Sequence, residues 1–402
     1  MNLVSGLLIA ALVASTAQAQ ESALAEAVRD NARPLVFSEG GLSGDGGDWL
    51  NAQAANAHLV GFGEQHATAD IARFAQAWFV DLDQAGFDHA VIEVGPWGTR
   101  AAEALLRDEV GAFEADAAVR ADGLAYPFLF FQEEADLARM IVNRQTSGGP
   151  ALFGVDQEFI AGGSILAERL AELAETPQQT DAVDTFAAAL ADNAWLLGAG
   201  DPEAFDPLAT AFASGPAEAQ ALIAEMQRSN RIYAPFTGRG GSGLLANTER
   251  EEGMRQYFLE AWTEISETST ESPRVFFKFG GNHLMRGHTN THVPGFGGFL
   301  AEWGFAQGFD FFNVMVDCDG GEVTDPRSGA ASACESYFPL EGSPFAGLSD
   351  AGPVVIDLVA LRRTAVRDGS LDPKLTRLIL AYDAYVLLPD VAPATLVGQP
   401  SD

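Results

Sequence analysis

The chain of 402 residues carries 56 acidic against 23 basic side chains, a formal charge of −33 at pH 7, with 47% hydrophobic residues. That length and apolar content suffice for one large domain or two ordinary ones, and the acids are dispersed along the chain, as solvated surface is. So negative a field repels polyanions, which makes nucleic acid and anionic membrane surfaces poor partner candidates; a small-molecule substrate is expected instead, and the charge points to no particular one.

The first residues, "MNLVSGLLIAALVASTAQAQ", form an apolar run closed by Ala17-Gln18-Ala19. The pattern reads as a secretory signal over 1–19, cut after Ala19, whose only positive charge is the terminal amine. The run is too short to span a bilayer comfortably, and no later stretch is long and apolar enough. The mature chain, 20–402, is therefore expected to be periplasmic or secreted, with no membrane contact after signal cleavage.

Strand and helix signals then alternate. "GFGEQH" (61–66) closes a first strand. Ile71, Phe74, Ala75, Trp78, Phe79 and Leu82 recur at helical spacing, with Thr68 placed to cap the start and Gly86 just past the end. "HAVIEVG" reads as a strand, "GTRAAEALL" and "EEADLARMIV" as helices, and "PALFGVDQ" as a third strand. This β-α-β-α-β order predicts a parallel sheet with right-handed crossovers. From about 164 to 263 the chain reads as a helical insertion, broken by the loop "YAPFTGRGGSGLL". The sheet resumes with "RVFFKFGGNH", "FDFFNVMVD", "GPVVIDLVAL" and "YDAYVLLP". The expected fold is a single α/β domain, a central and mostly parallel sheet flanked by helices, with that large helical insertion. Cys318 and Cys334 sit in a segment rich in Gly, Ser, Asp and Pro, without metal-ligand spacing to a histidine, and predict a structural disulfide. Such a bridge contributes roughly 3 kcal/mol in the chain-entropy model.

Open parallel α/β sheets bind ligands outside the carboxyl ends of their strands. Those ends carry Glu64 and His66, then Glu93, Asp156, and His283 after "RVFFKFGGN". Glu64 and His66 are two residues apart, so extended backbone projects them to one side. There a carboxylate can orient an imidazole, raise its basicity or share a metal with it. Glu93 at the end of a buried strand needs a partner, because an unpaired carboxylate there is costly or loses its charge. Asp156 can also be read as a cap for the following segment. His288 and His292 fall in a Gly/Thr/Asn loop that reads as solvated; His288 is kept beside Asp156 as a substrate-binding candidate. His58 and His89 precede their strands, at the opposite end of the sheet. No phosphate-binding glycine loop with its lysine occurs, nor a G-x-S-x-G elbow, and no Ser or Cys nucleophile stands out. The set is suited to activating water directly, or to holding a metal or cofactor.

In order along the chain, "GFGEQHATADIARF", "GFDHAVIEVGPWG", "LFGVDQE", "TEREEGMRQYF", "FFKFGGNHLMRG" and "YDAYVLLP" resemble the erythromycin esterase-like and ChaN-like superfamily, whose distant relatives include Tiki/TraB proteins. The resemblance implies an α/β fold with a helical insertion and a pocket formed by the Glu/His set. It further implies His66 as general base, Glu64 and Glu93 as orienting or polarising groups, His283 facing them, and Arg250 steadying an anion. The sequence departs from the esterase pattern twice: one residue, Gln65, separates Glu64 from His66 where esterases have two, and Gly280 replaces the first of two later histidines. Both departures lean toward the haem-uptake ChaN branch, whereas the chain length, the helical insertion, "FGVDQ" and "YDAYVLLP" lean toward esterases.

The expected activity is hydrolysis of an ester or related acyl bond by water that His66 deprotonates. One carboxylate partner is expected to hold His66 near neutral pKa. His283 or Arg250 would stabilise the oxyanion. No metal or cofactor is expected to be needed, since the possible ligands come from separate strand ends without a compact motif such as H-E-x-x-H. Two alternatives stay open. One is a haem- or divalent-metal-binding protein, with Tyr126 or Tyr233 beside the histidines as haem ligands. The other is a Tiki-like metal-dependent peptidase, with Gly63–His66 and Gly280–His283 as its ligand-bearing turns.

Overall fold

Strands β1 (Ala32–Pro34), β2 (Val36–Ser38), β3 (Gly41–Ser43), β4 (Leu59–Glu64), β5 (His89–Ile92) and β6 (Leu152–Gly154) precede a long helical stretch. After it come β7 (Val275–Gly280), β8 (Phe311–Thr324), β9 (Ala331–Ala333), β10 (Val354–Asp357) and β11 (Ala384–Val391). The computed structural model describes residues 23–146, 148–268, 272–369 and 371–398, so the expected signal segment 1–19 lies outside the described residues.

The main sheet runs β1-β10-β11-β8-β4-β7-β5-β6, with β9 paired to β8; β2 and β3 form a separate hairpin. From β11 to β6 every neighbouring pair is parallel. The edge pairs β1–β10 and β10–β11 are antiparallel, as is β8–β9. The chain moves out from β4 to β5 and β6, returns to β7 beside β4, and then passes to β8 and β11 on the other side. Crossovers therefore diverge around β4, the kind of switch point where open α/β sheets leave a crevice.

Every residue of "LVGFGE" in β4 and "VFFKFG" in β7 is buried, because helices cover both faces of the parallel sheet. On one face Phe62, Phe276 and Val316 pack with Phe74 and Trp78 of the helix Ala69–Gln84 and Ile141 of the helix Gln132–Arg144. On the other, Val91, Phe277, Phe279 and Met315 pack with Met254 and Phe258 of the helix Gly243–Thr268, and with Phe296. Between 163 and 268 the described chain is helical, with its own apolar cluster around Leu166, Phe186, Phe205 and Leu222. Among the described residues no helix is long and apolar enough to cross a membrane.

Four local expectations change. "GPVVIDLVAL" is two elements, because Asp357 ends β10 and its carboxylate accepts the Ala360 N–H at 3.2 Å, starting the helix Leu358–Arg367. Thr68 occupies the N-cap of Ala69–Gln84, yet its buried hydroxyl makes no capping bond; the Ala69 N–H goes to the Ala392 carbonyl, just past β11, at 2.9 Å. The segment between the cysteines is a β8–β9 hairpin, whose turn is closed by Asp325 accepting the N–H groups of Arg327 and Ser328. His89 opens β5 instead of preceding it, and is buried with Nδ1 3.0 Å from the Pro150 carbonyl. The Cys318–Cys334 disulfide is present and ties β8 to the chain after β9.

Candidate functional site at the carboxyl edge of the sheet

Four neighbouring strands end together. Glu64 is the last residue of β4, Glu93 directly follows β5, and Asp156 lies two residues past β6. β7 stops at Gly280, and His283 sits on the one-turn helix Gly281–Leu284 that follows. The period-two expectation for Glu64 and His66 holds beyond the strand, and His66 Nδ1 lies 2.8 Å from Glu64 Oε1. The chain turns sharply after His66. Ala67 has φ 68°, a left-handed conformation that costs a non-glycine residue roughly 1–2 kcal/mol. Its carbonyl accepts the N–H groups of Thr324 at 3.0 Å and Ala394 at 3.1 Å, which holds the turn in place.

Glu93 is the hub. Its Oε2 accepts the Gly280 N–H at 2.6 Å and lies 3.6 Å from His66 Nε2. Its Oε1 accepts from Arg250 Nη2 at 2.8 Å and lies 3.2 Å from His283 Nε2. Arg250 also donates from Nε to Asp156 at 2.9 Å, and His283 Nδ1 lies 2.7 Å from Glu251 Oε1. On the other side of His66, Lys278 Nζ bridges Glu64 Oε2 and Glu134, each at 2.7 Å. A continuous ionic chain results, Glu134–Lys278–Glu64–His66–Glu93–His283–Glu251, with Arg250 and Asp156 attached at Glu93.

Burial alone would depress the His66 pKa, but the hydrogen bond to Glu64 and the Glu93 charge outweigh it and raise it to about 9. Burial likewise opposes protonation of His283; Glu93 and Glu251 overcome both that and the repulsion from Arg250, and raise it to about 10. Glu93, which burial would push up, is held well below the usual carboxylate range by His283, His66 and Arg250. Glu64 is held low by Lys278 and His66 against its own burial. Burial and the Glu64 charge lift Glu134 to about 7 despite Lys278. The expectation of a near-neutral His66 is thus corrected. Two carboxylates bear on the ring, and the resting imidazole is protonated at pH 7.

Protein atoms crowd His66 closely, yet 27% of its side chain stays accessible, so one side opens to a ligand. Phe128 stacks on the ring at 4.2 Å between centroids and 23° between planes, and itself has φ 62°. A cavity of about 30 Å³ lies between the polar groups Glu64, His66, Glu93 and Lys278 and the apolar side chains of Leu129, Leu137 and Ile141. That is room for about one water molecule.

The structure brings Glu64, His66, Glu93, Asp156, Arg250 and His283 together. Two candidates change place in the scheme. Asp156 is buried and bound to Arg250, so it positions that guanidinium, and the anion that Arg250 steadies is the protein's own. His288 is exposed, pairs only through its backbone with Pro294, and makes no hydrogen bond or ion pair to the cluster. Tyr126 and Tyr233 are engaged elsewhere, Tyr126 donating to Asp116 at 2.8 Å and Tyr233 accepting from Gln157 at 3.3 Å. Sequence reasoning missed Lys278, Glu134, Glu251 and Phe128. Lys278 had a signal, a lone charge inside the apolar strand "VFFKFG"; Glu251 adjoins Arg250, but nothing local marks Glu134 or Phe128.

With Nδ1–H directed to Glu64, a deprotonated His66 carries its lone pair on Nε2, the tautomer suited to accept a proton; this assignment follows from the hydrogen-bond network.

In fold the chain is similar to several solved structures. A succinoglycan biosynthesis protein superposes with a TM-score of 0.62 at 12% identity, over 94% of this chain and 98% of that one. An erythromycin esterase mutant in its open conformation gives 0.58 at 16% identity, over 88% and 95%. A Bacillus cereus protein gives 0.54 at 15% identity, over 94% and 99%. No family profile and no curated protein matches the chain. The likeness is one of fold, a distant erythromycin esterase-like α/β architecture.

Proposed function

We propose that the chain is an exported hydrolase that cleaves an ester, or a related acyl bond, with water activated by His66. One observation carries this reading: Glu64 grips Nδ1 at 2.8 Å while Nε2 faces the charged Glu93 across 3.6 Å, at an opening on the carboxyl edge of the sheet. Neutral His66 takes a proton from water as the water oxygen bonds to the acyl carbon. Glu64 and Glu93 stabilise the imidazolium that forms. Collapse of the tetrahedral adduct breaks the bond to the leaving oxygen, which takes the proton from His66 and departs as an alcohol, leaving the acid. Arg250, His283 and the Gly280 N–H keep Glu93 ionised throughout. The fold shared with an erythromycin esterase supports the acyl-transfer class, and the disulfide together with the apolar segment 1–19 supports export.

A metal-dependent version would draw ligands from His66, His283 and Glu93. Both Glu93 oxygens already accept hydrogen bonds, from Gly280 and Arg250, and the positive charge a metal would bring is supplied by that guanidinium. Among the described residues no group of three or more His, Cys, Asp or Glu side chains is arranged to hold an ion. The test is turnover of a chromogenic acyl ester by wild type and His66→Ala, both dialysed against EDTA. We expect wild-type turnover and a loss of about 10²–10⁴-fold in the variant. Activity that disappears with the chelator and returns with stoichiometric zinc or manganese would reassign His66 as a ligand. Equal rates in the two proteins would end its role.

A further inference from the structure

The donors named so far serve the cluster's own carboxylates. Arg250 is shared between Glu93 and Asp156, His283 and the Gly280 N–H face Glu93, and Lys278 lies between Glu64 and Glu134. We infer that Tyr337 is a further catalytic residue, a neutral phenol that donates a hydrogen bond to the acyl oxygen as it becomes an oxyanion. This role rests on the hydrolase reading.

The chain has six tyrosines. Tyr126 donates to Asp116, Tyr257 to Glu225, Tyr385 to Asp317 and Tyr382 to the Gly281 carbonyl, while Tyr233 accepts from Gln157. Among the described residues, the Tyr337 hydroxyl is the tyrosine hydroxyl with no hydrogen-bond partner in the protein. Its backbone, by contrast, is fixed. Asp317 Oδ2 accepts the Tyr337 N–H at 3.0 Å and the Ser336 hydroxyl at 2.6 Å, and Cys334, three residues earlier, is bonded to Cys318. Buried Asp317 itself follows Val316, the register partner of Glu64 in the β4–β8 pair.

Side chains two apart on a strand share a face. Val91 and Met315 belong to the same core cluster, so Glu93 and Asp317, two residues further on, project toward that same side at the carboxyl edge. The loop bound to Asp317 therefore holds Tyr337 over the face on which Glu93 stands. The half-buried phenol is within electrostatic reach of Glu93, Asp317 and Glu64; burial and these charges push its ionisation above the ordinary tyrosine value. It stays protonated wherever His66 works as a base, as a donor must. The disulfide and Asp317 thereby acquire a purpose beyond stability, holding one hydroxyl against the site.

The experiment compares steady-state hydrolysis of the same acyl ester by wild type and Tyr337→Phe. The substitution removes a hydroxyl that no protein atom bonds, so the melting temperature should not change. We expect kcat to fall by about 10²–10³-fold, the usual loss of one oxyanion donor, with KM within about threefold of wild type. A Tyr337→Phe variant with wild-type kcat would overturn this role and leave His66 in place. A rise in KM alone, with kcat unchanged, would also overturn it, since it would mark ordinary binding. A wild-type protein that hydrolyses no ester would overturn the hydrolase reading and this role together.

Discussion

Gly280 donates its N–H to Glu93 while its Cα faces His66. A Cβ there would fall inside contact with His66 Nε2 and lie 3.3 Å from Glu93 Oε2. Its φ of −54° and ψ of 139° suit any L-residue, so space alone demands glycine. The short Glu64–His66 spacing and the glycine at 280 meet at this one contact, and together they let His66 Nε2 occupy room that a larger residue would fill. Gly280→Ala should fold, because the obstructing group is a side-chain tip that can swing away. The cost is the base. We expect kcat to drop by about 10²-fold, as for an ångström-scale misplacement, with the melting temperature within about 4 °C of wild type. Wild-type kcat in this variant would show that His66 need not stand where the structure places it.

At the scale of elements, β7 carries a charged group into the core. Lys278 is 7% exposed and held by Glu64 and Glu134, so removing it leaves Glu134 buried without a cation and Glu64 with His66 alone. Lys278→Met should cost about 3–5 kcal/mol of stability, the penalty of breaking a buried ion pair from one side, measured by urea unfolding. A loss below about 1 kcal/mol, the range of exposed pairs, would mean that water reaches this cluster. Lys278 also shows where sequence reading stops. The parallel β4, β5, β6 and β7 were legible because their apolar runs end in turn chemistry, and with them the strand-end positions of Glu64, Glu93, Asp156 and His283. Short edge strands such as β1 (ARP) and β9 (ASA) carry no such pattern, since neither holds an apolar run for turn residues to end. Glu134 and Phe128 enter from a helix and a loop whose approach depends on packing between elements. Their partners could not be read from spacing, and neither could the second carboxylate on His66 that sets its basicity.

Across the whole molecule, the ionic chain and the net charge of −33 act in the same direction, since a negative field favours every protonated imidazole. The folded pKa values of about 9 for His66 and about 10 for His283 exceed the ordinary value near 6.5. The stability these groups contribute is fully present below about pH 6.5 and is lost as pH rises through about 9 and 10. Catalysis by a neutral His66 gains over the same interval, so the fold and the base respond to alkali with opposite signs. The most direct test of His66 as the base is therefore kcat/KM against pH, between pH 6 and 10, with folding followed by circular dichroism at each point. We predict a rise of about tenfold per pH unit that levels near pH 9, the profile of a single group that must lose its proton. A profile already flat from pH 6, or one that falls with rising pH, would contradict the assignment of His66 as the group that deprotonates water.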